Sequence, residues 1–262
     1  MQLAASLLLL SFVPASAQIP KIVFSGGAQY PAGGFEGRAE FRVPMPPIPL
    51  MVNAPFYGQE KMEPTAGQST AQTQLMRPTR HGQKVWRDSQ GRIRIEQTFA
   101  SGASQTKNVP TLVEIQDPVA GYTYIMDDVT RLVHRIKSPV VPQKNLEELV
   151  VHTVPASVAA NSSLEDLGTQ TMSGIRVHGT RRVFVFAAGT RGNSAAFTSS
   201  RDYWYSPDLN LIIRTINSDP RSGGDTESLS DLTCKEPDPA QFVVPLDYKL
   251  VDESAAFTIQ WK

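Results

Sequence analysis

From Lys84 onward, hydrophobic and polar positions alternate, and that period of two predicts strands. Lys84-Val85-Trp86-Arg87 and Arg92-Ile93-Arg94-Ile95-Glu96-Gln97-Thr98-Phe99 flank Asp88-Ser89-Gln90-Gly91, which reads as a hairpin whose turn glycine takes positive φ. Ile93, Ile95 and Phe99 fall on one face while Arg92, Arg94 and Glu96 fall on the other, as a half-buried antiparallel strand requires. Leu112 to Ile115, Tyr122 to Met126 and Arg131 to Ile136 continue the pattern as a meander. Its turns lie at Asp117-Pro118-Val119-Ala120-Gly121 and Asp127-Asp128. Asn145 to Val150 is the helical candidate. Strands resume at Leu167 to Met172, Ile175 to Thr180 and Arg181 to Phe186, the last apolar on both faces near its end and so a covered strand. Arg201 to Tyr205, Leu209 to Ile216 and Asp225 to Cys234 complete the series.

Ahead of Lys84 the pattern is weak. Ser25-Gly26-Gly27, Pro31-Ala32-Gly33-Gly34 and Pro44-Met45-Pro46-Pro47-Ile48-Pro49 do not suit a helix or a central strand, and residues 58–74 are polar and poor in core formers. The expected organisation is therefore a Pro/Gly-rich, partly disordered lead-in over 18–83, an antiparallel β domain over 84–250, and a tail or edge strand over 251–262. The expected fold class is mainly β, a single large curled antiparallel sheet with little helix.

Residues 1–17 read as a cleavable signal peptide: an uncharged apolar run from Leu3 to Val13, then Pro14 and Ala15-Ser16-Ala17, with cleavage after Ala17. The run is about half of what a bilayer span needs, so no transmembrane anchor is expected and the mature chain is periplasmic or secreted. Lys plus Arg and Asp plus Glu are balanced at 25 each, which offers no global field for nucleic acid. The single cysteine, Cys234, rules out an intramolecular disulfide, so a hydrophobic core has to hold the fold. A small buried side chain on the last strand is the plain reading of that cysteine.

Catalytic signatures are absent: there is no Gly-x-Ser-x-Gly elbow, Ser-x-x-Lys, His-Glu-x-x-His, phosphate loop or dinucleotide fingerprint. His81, His134, His152 and His178 are scattered rather than set at ligand spacing, so neither metal nor cofactor is expected. Asp117, Asp127, Asp128 and Asp219 read as turn residues that cap backbone N–H groups. The chain is read as non-catalytic. Tyr122, Tyr124, Phe184, Phe186 and Trp204 are the candidates to line an apolar groove, with core packing as their other use.

The segments Val85 to Arg135 and Leu167 to Tyr248 resemble a group of exported proteins common in Acidobacteria that lack an assigned activity. The resemblance rests on Trp86-Arg87-Asp88-Ser89-Gln90-Gly91-Arg92, Gln116-Asp117-Pro118-Val119-Ala120-Gly121-Tyr122-Thr123-Tyr124 and Asp166-Leu167-Gly168-Thr169-Gln170. It also rests on Gly179-Thr180-Arg181, Trp204-Tyr205-Ser206-Pro207, Ser218-Asp219-Pro220-Arg221, Glu236-Pro237-Asp238-Pro239 and Val244-Pro245 to Tyr248. More remotely, the C-terminal layout is similar to the LolA/LolB/RseB-type envelope scaffold. That likeness implies a half-barrel whose concave face holds acyl chains or a peptide. It implies two roles: binding of a lipid or other apolar ligand, or regulation through an envelope protein partner of the anti-sigma-factor sensor type.

Overall fold

The computed structural model describes residues 24–29, 35–64, 83–98, 110–147, 161–221 and 223–261. The expected signal peptide, Phe99, His81, His152 and the end of the helical candidate lie outside these residues; within it, Leu146 and Glu147 are helical.

The strands, in chain order, are β1 (Phe24–Gln29), β2 (Phe35–Phe41), β3 (Ile48–Leu50), β4 (Phe56–Pro64), β5 (Lys84–Arg87) and β6 (Ile93–Thr98). The meander supplies β7 (Thr111–Asp117), β8 (Tyr122–Asp127), β9 (Leu132–Lys137) and β10 (Val140–Pro142). Then come β11 (Ser162–Met172), β12 (Ile175–Phe186), β13 (Phe197–Ser206), β14 (Leu211–Asp219) and β15 (Gly223–Thr233). A 3-10 turn at Pro239–Phe242 precedes β16 (Lys249–Asp252) and β17 (Phe257–Trp261).

Twelve of these strands form one open sheet in the order β11-β12-β13-β14-β15-β4-β5-β6-β7-β8-β9-β16, which does not close into a barrel. The mainly β, half-barrel class is thus the observed one. Its ladders are antiparallel except at one edge, where β16 runs parallel to β9. A three-stranded sheet, β1-β2-β17, and a parallel pair, β10-β3, stand beside it.

The lead-in contributes more structure than its composition suggests. β4 sits between β15 and β5 in the middle of the large sheet, pairing Phe56 with Arg87 and Leu229 with Glu60. Its period of two is visible in the burial of Phe56, Gly58 and Glu60, but a glycine and a carboxylate occupy two of the inward positions, so hydrophobicity alone conceals the strand. The boundary expected before Lys84 therefore falls between two paired strands. Cys234 also differs from expectation: it is exposed, one residue past the end of β15.

The turns are built as the sequence indicates. Asp88 Oδ1 accepts from the backbone N–H groups of Gln90 (3.0 Å) and Arg92 (2.8 Å), and Gly91 takes φ +84°. A Cβ at Gly91 would also stand 2.9 Å from the Met51 carbonyl, so the position needs glycine twice over. Asp117, Asp127 and Asp219 likewise accept backbone N–H groups within their own turns.

Register groups rows of residues on one side of the sheet, here termed inner, with bulges at Trp204/Tyr205 and Ser230/Thr233 interrupting the alternation between its two halves. The rows Val85–Ile95–Glu114–Ile125–His134 and Arg87–Ile93–Gln116–Thr123–Ile136 cross β5 to β9. The row Thr180–Tyr203–Thr215–Glu227–Met62 crosses β12 to β4, where Met62 alternates with Glu60 and Phe56 on the same side. Over β7 to β9 the small sheet covers this face: Ala39, Phe41, Ile259 and Trp261 pack on Leu112, Ile125 and Ile136. Phe257 stacks on His134 at 4.4 Å and on Phe41 at 4.7 Å. A second cluster joins Ala54, Phe56, Val85, Ile93 and Ile95 to Leu209, Leu211 and Ile213. Arg87 ties its lower rim, donating to Ala54 O (2.8 Å) and Leu209 O (2.7 Å); burial pulls its pKa down to about 10. The opposite face of β7 to β9 is covered by Val244 and Tyr248, so β7 is enclosed on both sides.

Candidate functional site

The inner face combines an apolar floor with a band of buried polar side chains. Glu114 and Gln116, two residues apart on β7, are 1% and 3% exposed, and Glu114 lies directly between Ile95 and Ile125 in its row. Gln116 Nε2 donates to Glu114 Oε1 at 2.8 Å. Burial raises the Glu114 pKa to about 7, and the Gln116 hydrogen bond only partly opposes it. Gln83 Nε2 donates to Gln97 Oε1 at 3.1 Å on the same face, next to Glu60. Towards β12 the band continues through Glu227, Thr215, Tyr203, Thr180 and Arg182, all buried.

Three buried oxygens have no hydrogen-bond partner among the described residues: Gln116 Oε1, Thr215 Oγ1 and Glu227 Oε1. All three lie on the inner face, and Thr215 and Glu227 are direct cross-strand partners. An unpaired buried acceptor costs about 1–3 kcal/mol, so placing Thr215 Oγ1 and Glu227 Oε1 side by side is a feature that folding alone does not favour, while Gln116 stands apart on β7.

Asp127, the partly exposed His178 and Tyr205 are engaged by neighbouring side chains. Asp127, at 0% exposure, accepts from Trp261 Nε1 (2.9 Å) and Thr130 Oγ1 (2.6 Å), which anchors the small sheet. His178 is held between Glu147 (2.8 Å) and Asp166 (2.9 Å), and the Glu147 hydrogen bond foremost raises its pKa. Tyr205 Oη donates to Asn210 Oδ1 at 2.8 Å, beneath Leu146.

The five aromatic candidates do not converge. Tyr122 and Tyr124 share one side of β8, the side opposite Ile125, where Arg135 lies over Tyr122 at 4.9 Å. Phe184 and Phe186 alternate with Arg182 and Thr180 along β12 and so belong to the inner face; Phe186 stacks on Phe197 at 4.8 Å. Trp204 lies against Gly179 and packs into the larger apolar cluster. Seven strands separate β12 from β8 in the sheet order. Sequence reasoning missed Glu114, Gln116, Thr215 and Glu227, because polar residues on a predicted strand read as solvent-facing. The one available signal was a Glu and a Gln at alternate positions in the row of Leu112 on β7. Among the described residues, no group of three or more His, Cys, Asp or Glu could hold a metal ion.

No protein-family model and no curated protein sequence matches the chain. Among solved structures it is similar to MucB in the Pseudomonas aeruginosa MucA/MucB complex, at 12% identity and TM-score 0.38 over 76% of this chain and 58% of that one. The chain thus spans 58% of the length of that relative. It is also similar to the lipoprotein LppX of Mycobacterium tuberculosis, at 12% identity and TM-score 0.29 over 70% of this chain and 88% of that one. A third is a domain described as belonging to outer membrane lipoprotein sorting from Vibrio parahaemolyticus, at 11% identity and TM-score 0.24 over 72% and 89%.

Proposed function

We propose that the chain is an exported, non-catalytic envelope protein that binds an amphipathic, lipid-like ligand on the inner face of its large sheet. The observation that carries this reading is the pair of unpartnered, buried oxygens, Thr215 Oγ1 and Glu227 Oε1, on neighbouring strands of the sheet that also bears the apolar floor. Such a face offers aliphatic contacts to a chain and hydrogen-bond acceptors to a polar group. Of the residues expected to line a groove, this reading uses Phe184 and Phe186 on β12 and Trp204 against the apolar floor, while Tyr122 and Tyr124 stand on the opposite side of β8. Native mass spectrometry of protein purified from its own envelope tests the reading, with a bound mass in the lipid range as the expected result. Delipidated protein should then gain thermal stability when an acyl lipid is returned. Absence of both effects would refute it.

A second reading has its own support. β11 is an 11-residue strand at the edge of the large sheet, with most of its residues exposed. An open edge accepts an added strand from a protein partner, the mode that an envelope regulator would use. A β-bulge at Asp166/Gly168 interrupts it and limits strand addition to either side of that point. Charged substitutions at Thr169 and Thr171 that leave a reproducible pulldown from envelope extract unchanged would count against this reading.

A further inference from the structure

Glu227 stands on β15 at 4% exposure, directly across from Thr215 on β14, which is 1% exposed. Neither Glu227 Oε1 nor Thr215 Oγ1 has a hydrogen-bond partner. Among the described residues, no cationic side chain pairs with Glu227. The other buried acids differ. Asp88 accepts from Arg92 Nε (2.6 Å), Glu114 from Gln116 Nε2 (2.8 Å) and Asp127 from Trp261 Nε1 (2.9 Å). Asp202 is held by Arg181 in a bidentate pair at 2.7 and 2.9 Å, and Glu60 is engaged as well. A buried carboxylate without a partner is costly, and a bound cation that donates hydrogen bonds relieves that cost.

The chemistry of the two oxygens defines what fits. One belongs to a carboxylate and the other to a hydroxyl, so their complement is a hydrogen-bond donor carrying positive charge. Directly opposite residues hold their Cβ atoms about 4.5–5.5 Å apart, which lets a single nitrogen donate to both side chains. A primary ammonium has the N–H groups to do so. A hard metal ion needs more oxygen ligands than this pair supplies, and among the described residues no group of three or more acids, histidines or cysteines could hold one.

Apolar surface and an opening adjoin the pair. Met62, the cross-strand partner of Glu227 on β4, is 44% exposed, so solvent lies one strand away on the same side. Leu229 follows Glu227 on that side of β15 and, with Leu232, packs against the apolar floor. A polar head at Glu227 therefore leaves its attached chain beside Leu229 and Met62.

We propose that Thr215 and Glu227 bind the primary ammonium head of an amphipathic lipid whose chain lies along Leu229 and Met62. This deepens the reading of the large sheet as a lipid-binding surface, and it rests on that reading.

The test is titration calorimetry of the delipidated full chain, near neutral pH, with five probes. They are dodecylammonium, dodecyltrimethylammonium, dodecanoate, neutral monododecanoyl glycerol and butylammonium. Dodecylammonium is expected to bind about tenfold or more tightly than each of the others. Glu227→Gln should weaken dodecylammonium about tenfold to a hundredfold and leave the neutral lipid unchanged. Thr215→Val should weaken dodecylammonium by up to about tenfold, and Glu63→Gln, at an exposed neighbour of Met62, should change nothing. Equal affinity for dodecylammonium and the neutral lipid, or a preference for dodecanoate, would overturn the head-group assignment while leaving the lipid reading standing. Dodecyltrimethylammonium binding as tightly as dodecylammonium would also overturn it, because it carries the charge without N–H donors. Butylammonium binding as tightly as dodecylammonium would remove the role of the chain. No binding of any dodecyl compound would remove both proposals. The wild-type ranking decides the matter even if Glu227→Gln fails to fold.

Discussion

Replacement of Glu114 by Gln is the perturbation that tests the inner face most directly. The carboxyl is buried between Ile95 and Ile125, and burial raises its pKa from 4.5 to about 7. Below pH 4.5 it is protonated in both folded and unfolded chains and contributes no pH dependence. Between 4.5 and about 7 the folded state holds a proton that the unfolded state has released, so stability falls as pH rises. Above about 7 the folded chain carries the buried anion and the whole penalty is present. At about 1.4 kcal/mol per pH unit, that penalty is about 3 kcal/mol. Gln cannot ionise, and its amide can still accept from Gln116 Nε2 and donate to the unpartnered Gln116 Oε1. Urea unfolding from pH 4.5 to 8.5 should therefore show Glu114→Gln matching the wild type at the acid end. At the alkaline end it should exceed the wild type by about 3 kcal/mol, or about 6–12 °C in Tm. The wild-type-minus-variant difference is the quantity to read, because His178 also titrates. Its pKa is raised, so its stabilisation is present at low pH and lost as pH rises through the folded value. A difference that stays flat across this range would refute the burial argument.

Two further predictions concern the framework. A Cβ at Gly179 would stand 2.5 Å from Trp204 Cζ3, so Gly179→Ala should displace the indole and cost about 1–3 kcal/mol, read as a lower urea midpoint with a shift in tryptophan fluorescence. Trp261→Phe removes the indole donor to Asp127 Oδ1 and leaves that oxygen of a fully buried carboxylate with the Val129 N–H alone, at a cost of about 1–3 kcal/mol. Its mark should be faster amide exchange in β2 and β17 than in β12 and β13, since the bond anchors the small sheet.

The sequence alone determined the local grammar. Alternation from Lys84 onward located the meander strands, and the turns at Asp88, Asp117 and Asp219 cap backbone N–H groups as their residue types require. These features depend on neighbours a few residues apart, so a linear reading captures them. What fills a sheet's interior depends on partners far away in the chain, and only the tertiary structure decided that. β4 is central because β15 and β5 flank it, although Gly58 and Glu60 hide its pattern. The aromatics Tyr122 and Phe184 look equivalent in sequence, yet their strands, β8 and β12, have seven others between them in the sheet order. Glu114, Gln116, Thr215 and Glu227 became a shared face through the registers of β7 with β6 and of β14 with β15. Burial is a property of the assembled sheet, and a polar residue on a strand carries no local mark of which way that sheet turns it.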